Sequence, residues 1–174
     1  ETVSPEMELF FTEEENQAAL EYLPNNAPLI GMHPGAKDRF KEWNPKHFVE
    51  LGRKLAKEKG ATLIITGDKH EAPLAEQIAE AIPGAVSLAG KISVRVLAAL
   101  IAKLNLFITN DTVPMHIAFA MRTPSYALFS PTDSTLCGPY KIPHGKVIKK
   151  PVTCTPCIRK RCQDPFCMEQ ISPK

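Results

Sequence analysis

The stretch LFITNDTVPMHIAFA, residues 106–120, contains the pattern that decides the fold. Its first three residues are apolar, as in a buried strand, and its second half is small and apolar, as in a packed helix. The junction between them holds four polar side chains: Asn110, Asp111, Thr112 and His116. A strand that passes directly into a helix is half of a βαβ unit, and polar residues at the junction indicate a ligand site or a helix cap.

The same alternation of short apolar strands and amphipathic helices extends outward from this unit. Strands are predicted at residues 29–32, 62–66, 86–88, 106–108 and 125–129. Asn44 followed by Pro45 predicts the start of a helix that ends at Gly60, and Ser93 is expected to cap another. This alternation predicts an α/β fold, a Rossmann-like doubly wound parallel sheet with helices on both faces.

The two ends of the chain differ from this central region. Residues 1–25 are predicted to form a linker and a short helix, in which Thr12 and Glu15 make a capping box and the helix runs to Leu23. Residues 26–150 are predicted to form the ligand-binding domain, although regularity fades beyond Pro131. Residues 151–174 form a cysteine-rich tail that we expect to pack on the same domain. Because the chain opens with Glu rather than Met, we expect an N-terminal partner domain outside it.

Composition limits the classes of function. The chain has 174 residues, enough for one domain with a sizeable core, and its 44% hydrophobic and 23% charged residues are an ordinary globular balance. The net charge of +2 is too small to argue for nucleic acid by itself. No apolar run reaches the roughly 18–20 residues of a membrane span. Clustered cysteines without a secretion signal favour reduced thiols and a cytoplasmic location.

Residues that follow each predicted strand are the candidates for a binding site, because ligands bind beyond the carboxyl ends of parallel strands. The candidates are Gly35, Ala36 and Lys41 after the first strand, Gly67 and Glu71 after the second, Ile92 after the third, and Asp111, Thr112, Val113 and His116 after the fourth. Helix N-termini offer N–H groups that suit phosphate. Lys41 would add a charge for a diphosphate, and Glu71 would accept hydrogen bonds from ribose hydroxyls. The pattern therefore predicts a nucleotide-diphosphate site.

Simpler interpretations of these residues stay open at this point. Asp111 and Thr112 could be helix caps, His116 a surface or core histidine, and Lys41 one of a run of solvated cations. The absence of G-x-G-x-x-G and of a P-loop argues against a dehydrogenase of the usual type and against a phosphate-loop NTPase.

Four motifs together resemble a known family. They are HPGA at 33–36, KEWNP at 41–45, NDTVPMH at 110–116 and LFSPTD at 128–133. They resemble the C-terminal half of ADP-heptose:lipopolysaccharide heptosyltransferases, which are glycosyltransferase family nine and have the two-domain GT-B fold. The resemblance covers about residues 29–135, and the cysteine pattern of the tail recurs in some members.

The resemblance implies a donor-binding half of an inverting glycosyltransferase that adds heptose to the lipopolysaccharide core. It implies that Lys41 meets the diphosphate, Glu71 the ribose and Ile92 the adenine, with Asp111, Thr112 and His116 around the phosphates and the transferred sugar. Lys41, the first-turn amides at Thr112 and Val113, and His116 would stabilise the leaving diphosphate, so Lys41 and His116 are the predicted catalytic residues.

The resemblance further implies that no cofactor or catalytic metal is needed. The general base is then a carboxylate in the missing N-terminal half, which also holds the lipopolysaccharide acceptor, so this fragment alone should be inactive. The expected partners are an ADP-sugar and the lipopolysaccharide core at the inner membrane surface, without nucleic acid.

Two positions depart from the family pattern. Val113 stands where the family usually has Gly after Asp-Thr, and its β-branched side chain restricts how closely a phosphate approaches. Gly35 and Ala36 stand where some members carry hydroxyl residues, so hydroxyl contacts are lost there.

The cysteine tail supports rival hypotheses. Cys154, Cys157, Cys162 and Cys167 could hold a structural zinc, pair as disulfides or stay as thiols. With the nearby lysines and arginines, a metal-organised module that binds nucleic acid is one alternative function. Another is a different sugar-nucleotide enzyme, such as an epimerase.

Overall fold

The computed structural model describes residues 7–24, 27–139, 142–150, 152–157, 162 and 166–173. Within these residues six parallel strands form one sheet in the order β3-β2-β1-β4-β5-β6. The strands are β1 (Leu29–His33), β2 (Thr62–Ile65), β3 (Val86–Ser87), β4 (Leu106–Asn110), β5 (Ser125–Leu128) and β6 (Gly145–Ile148). The strand order reverses between β1 and β4, and ligands bind at such a reversal, beyond the carboxyl ends of the strands.

Helices cover both faces of the sheet, as the alternating pattern predicts. They are α1 (Glu13–Leu20), α2 (Pro45–Lys59), α3 (Ala72–Glu80), α4 (Val94–Ile101), α5 (Val113–Ala120), α6 (Ser134–Cys137) and α7 (Phe166–Glu169), and a 3₁₀ turn spans Arg39–Lys41. One core lies between the sheet and α2 and α3, and a second lies under α1, α4 and α5. The predicted α/β, Rossmann-like fold is confirmed. None of the described helices is long and apolar enough to cross a membrane.

Most predicted helix boundaries are confirmed because caps are local. The Thr12 and Glu15 capping box is formed, the Asn44 side chain accepts from the amide of Lys46 at 3.0 Å, and the Ser93 hydroxyl accepts from the amide of Val96. Gly60 ends α2 in the left-handed conformation at φ 61°.

The first helix is shorter than predicted. It ends at Leu20 rather than Leu23, because the amides of Tyr22 and Leu23 bond to carbonyls three residues back instead of four. This tightening precedes Pro24, which restricts the backbone of the residue before it.

Regular structure also continues beyond Pro131, where the sequence pattern predicts that it fades. The strand β6 pairs in parallel with β5, and its residues are alternately half-buried and exposed. This edge strand of four residues begins Gly145-Lys146, so it lacks the apolar run that marked the other strands.

Candidate nucleotide-binding site

A pocket of about 500 Å³ opens at the carboxyl ends of the central strands, which is a usual size for a small-molecule site. Its polar lining residues include His33, Thr66, Asp68, Glu71 and Thr112, which we call the polar wall. Its apolar lining residues include Leu88, Ile92, Val94, Leu97, Val113 and Ile117, which we call the apolar wall. A pocket lined by both kinds of residue suits a ligand with a flat apolar part and a polar part, as in a nucleotide.

Five of the predicted substrate-binding residues line this pocket: Gly67, Glu71, Ile92, Thr112 and Val113. His116 is not among its lining residues; it is exposed on α5, one helical turn after Thr112, with its ring 6.2 Å from that of Phe119. Ala36 lies in the loop after β1, where its amide donates to Glu42 at 3.4 Å. The roles of all these residues stay predictions.

Asp111 and Lys41 form an ion pair beside the start of α5. The Lys41 ammonium and the Thr132 hydroxyl both donate to Oδ2 of Asp111, at 2.8 and 2.7 Å. The Asp111 side chain is 7% exposed and that of Lys41 is 20% exposed. The pair therefore holds the lysine at the place where the chain leaves β4, and Lys41 is not simply one of a run of solvated cations.

The helix-cap interpretation of the junction does not fit the side chains. Thr112 occupies the N-cap position of α5, but its side chain makes no capping hydrogen bond, and Asp111 accepts from Lys41 and Thr132 instead. The first-turn amides of α5 are thus not occupied by the Thr112 hydroxyl, and such amides favour an anion.

Asn110 organises the site, although it is not among the predicted binding residues. Its buried side chain donates to the carbonyl of Pro34 at 2.7 Å and accepts from the amide of Trp43 at 3.1 Å. It thereby joins the end of β4 to the loop after β1 and to the segment that carries Lys41. A polar residue that ends an otherwise apolar strand was the available signal, because a buried amide needs partners.

His33 and Thr66 of the polar wall are likewise absent from the predicted binding residues. His33 is 4% exposed, with Nδ1 3.0 Å from the Thr66 hydroxyl and Nε2 3.6 Å from Oε2 of Glu71. Burial lowers the pKa of His33 to about 4, with Asp68 opposing, so the imidazole is neutral near pH 7 and its contact with Glu71 is not a full ion pair. Burial also raises the pKa of Glu71, and the hydrogen bond from the amide of Asp68 opposes that shift.

Gly35 and Gly67 make room for the Glu71 side chain. A Cβ at Gly35 would lie 2.1 Å from Oε1 of Glu71, and one at Gly67 would lie 3.0 Å from the Cβ of Glu71. Glu71 thus occupies the space that a side chain at either position would need.

The cysteine tail packs partly into the core. Cys167 is buried with Met168 and Ile171, burial raises the pKa of the Cys167 thiol, and Cys154 is exposed. In the part of the chain that the structure describes, no group of three or more His, Cys, Asp or Glu side chains is arranged to hold a metal ion. The basic residues 159–161 lie outside the described residues.

Comparison with known proteins identifies the family. Residues 1–166 match Glycosyltransferase family 9 (heptosyltransferase). The chain is 28% identical over 159 residues to lipooligosaccharide heptosyltransferase 2 of Campylobacter jejuni subsp. jejuni serotype O:6, covering 87% of this chain and 50% of the relative. It is 35% identical over 112 residues to the Haemophilus influenzae protein of the same name, covering 61% and 32%. The chain thus spans half or less of the length of these curated relatives.

Solved structures agree at the level of the fold. The E. coli ADP-heptose lps heptosyltransferase II superposes with a TM-score of 0.78 at 24% identity, covering 95% of this chain and 50% of that chain. The glycosyl transferase family 9 protein of Veillonella parvula also gives 0.78 at 24% identity, covering 85% and 44%. The resemblance carried by the four sequence motifs is confirmed: the chain belongs to glycosyltransferase family 9, the heptosyltransferases.

Proposed function

We propose that this chain is the donor-binding, C-terminal half of an inverting GT-B heptosyltransferase, which transfers heptose from ADP-heptose to the lipopolysaccharide core. The observation that carries the proposal is the two-walled pocket at the strand reversal of a family 9 chain. Two solved structures of E. coli heptosyltransferase WaaC, with folds similar to this one, are described as bound to ADP-2-deoxy-2-fluoro heptose and to ADP.

Each part of the donor has a matching part of the site. The apolar wall around Ile92 takes the adenine, and Glu71 accepts from the ribose hydroxyls. The first-turn amides of α5, at Thr112 and Val113, receive the diphosphate together with Lys41. His116 lies further along α5 and meets the phosphate nearer the sugar.

Catalysis in this proposal is electrostatic. As the bond between heptose and diphosphate breaks, negative charge grows on the leaving oxygen, and Lys41, the α5 amides and His116 stabilise it. Removing one such donor should cost about 2–4 kcal/mol of transition-state stabilisation. The proposed base that activates the acceptor is a carboxylate in the other half of the enzyme, so this chain alone binds the donor without turning it over. No catalytic metal enters the scheme.

Asp111 and Thr132 have a supporting role in this scheme. Their contacts hold the Lys41 side chain at the start of α5 before the donor arrives. The ammonium has three protons, so it can bond to a phosphate oxygen while it keeps Asp111 as a partner.

Nucleotide titration tests the proposal. We expect the chain to bind ADP more tightly than UDP or GDP in isothermal titration calorimetry, since the apolar wall is matched to adenine. A chain that binds none of the three, or that does not distinguish them, would contradict the proposal.

A lysine substitution tests the diphosphate contact. Lys41→Ala should weaken ADP binding about 10- to 100-fold and leave adenosine binding unchanged, because hydrogen bonds to charged groups contribute about 1.5–3 kcal/mol. Lys54→Ala is the matched control, since Lys54 lies on the surface of α2, where its ammonium pairs with Glu50 four residues earlier. In the full-length enzyme, near-normal turnover of the Lys41→Ala variant would reject its catalytic role.

Family membership favours this proposal over the two alternatives from the sequence, the metal-organised nucleic-acid module and the epimerase. We also propose a cytoplasmic location at the inner membrane surface, because the proposed acceptor is anchored in a membrane.

A further inference from the structure

His33 lies in the polar wall of the pocket without a role in the proposed chemistry. It is 4% exposed at the carboxyl end of β1, between the Thr66 hydroxyl and the Glu71 carboxylate. We infer that His33 is a positioning residue, which fixes the Glu71 carboxylate as the acceptor for the vicinal hydroxyls of a bound nucleotide's ribose. The inference rests on the proposed function and adds a residue to it.

The hydrogen bonds of Thr66 determine which nitrogen of His33 carries the proton. The single hydroxyl proton of Thr66 has two acceptors within reach, Nδ1 of His33 at 3.0 Å and the Met32 carbonyl at 3.3 Å. If the proton went to Met32, Nε2 of His33 would be a bare acceptor facing a carboxylate oxygen. If it goes to Nδ1, Nε2 carries a proton and donates toward Glu71. The second arrangement directs an N–H group, rather than a lone pair, at the ionised Glu71 carboxylate 3.6 Å away, so we assign it.

The remaining contacts of Glu71 define the oxygen left for a ligand. Oε2 accepts from the Asp68 amide at 2.8 Å and faces Nε2 of His33 at 3.6 Å. Oε1 lies against the backbone of Gly35, and no hydrogen bond to it is found within the described residues. The side chain is 19% exposed and lines the pocket. One oxygen is therefore held by the protein, and the other keeps its lone pairs for a hydroxyl donor.

Two amide substitutions separate the two nitrogens of the imidazole. In His33→Gln the terminal amide reaches the position of Nε2 and can still donate to Glu71. In His33→Asn the amide reaches only the position of Nδ1 and keeps the Thr66 contact alone. Both variants place a neutral amide in the same buried site, and they differ in which contact they keep: Gln keeps the one with Glu71, and Asn keeps the one with Thr66.

The measurement is the affinity for ADP compared with 2′,3′-dideoxy-ADP, by calorimetry on the intact chain. The original chain should prefer ADP about tenfold or more, the scale of a hydrogen bond to a charged group. His33→Gln should keep most of that preference, and His33→Asn should lose most of it while its affinity for the dideoxy analogue stays unchanged. If His33→Asn does not fold, Thr66→Val gives the same comparison, since it removes the hydroxyl that fixes the tautomer.

Each result decides one question. A His33→Asn variant that keeps the full preference for ADP overturns the inference and leaves the proposed function intact. Equal losses for both nucleotides also overturn it, since they indicate a purely structural role. An original chain that binds neither nucleotide rejects the proposed function, and the inference fails with it.

Discussion

Glu71 fits into the polar wall because the two positions beside it carry no side chain. The carboxylate lies where a Cβ at Gly35 would be, and the Cβ of Glu71 approaches the corresponding space at Gly67. Neither glycine has the positive φ that would require glycine for its backbone, so their need is steric. The carboxylate and the two glycines form one packing unit.

The substitution Gly35→Ala tests that unit. The new methyl would overlap Oε1 and the carboxyl carbon of Glu71, at 2.1 and 2.2 Å, so Glu71 must move. We expect a loss of about 1–3 kcal/mol in the free energy of unfolding, as for other overpacked sites, and weaker binding of ADP. Urea denaturation and calorimetry measure the two effects.

A double-mutant cycle supplies the control. In a Glu71→Ala background the obstacle is gone, and Gly35→Ala should then change the free energy of unfolding by less than about 0.5 kcal/mol. Equal losses in both backgrounds would mean that the backbone at residue 35, rather than the contact with Glu71, requires glycine.

At the residue scale, the sequence indicated which residues lie near the binding site, but it did not indicate which side chains contact each other. Positions after the strands were identified because parallel strands end at one edge, which is a property of the fold. The pairing of Lys41 with Asp111 joins residues 70 apart, and the pairing of His33 with Thr66 joins residues 33 apart. No local periodicity contains such information, so His33, Thr66 and Asn110 are absent from the predicted binding residues, although Asn110 was noted as a polar residue at the junction.

At the scale of elements, the start of α2 joins the central domain to the tail. The Asn44 side chain caps the helix through the amide of Lys46 and also donates to Glu169 of α7 at 2.9 Å. One side chain thus has a local contact and a contact 125 residues away.

Two substitutions of Asn44 separate these contacts. Asn44→Ala loses both and should lower the free energy of unfolding by about 1–2 kcal/mol. Asn44→Ser keeps an uncharged acceptor for the cap and is too short to reach Glu169, so thermal or urea unfolding should find it within about 0.5 kcal/mol of the original chain. If the Ser variant is as unstable as the Ala variant, the contact with Glu169 matters more than the cap.

The same scale explains which elements the sequence predicted correctly. Caps, glycine stops and apolar strands are encoded within a few residues, so α2, α4 and the first five strands were recognised. The strand β6 depends on pairing with β5, and two of its four residues, Lys146 and Ile148, are exposed. Its place in the sheet is therefore a tertiary property that its own pattern does not carry.

At the scale of the whole molecule, the end of the chain is part of the main core. Ile171 is 2% exposed, lies in the same cluster as Trp43, and accepts a hydrogen bond from the Trp43 indole at 2.8 Å. Trp43 in turn donates its amide to Asn110, so the tail packs against the segment that presents Lys41.

Truncation of Ile171 should therefore destabilise the entire domain. We expect Ile171→Ala to lower the free energy of unfolding by about 2–4 kcal/mol, through lost burial and the cavity left behind. Leu136→Ala is the aliphatic control, because Leu136 is 83% exposed, and it should change stability by less than about 0.5 kcal/mol. If urea denaturation shows that Ile171→Ala changes the free energy of unfolding as little as Leu136→Ala does, the tail is only loosely attached.

The pocket and the cysteine-rich tail occupy different parts of the fold. The pocket is built over β2, β1 and β4 with α4 and α5, whereas the tail contacts the loop after β5 and the core beneath Trp43. Substitutions in the tail can thus affect the pocket through two short segments, the turn from residue 39 to residue 43 and the loop after β5, whose Thr132 donates to Asp111. Replacement of an exposed tail residue such as Cys154 is therefore expected to leave the pocket unchanged, provided that these two segments keep their positions.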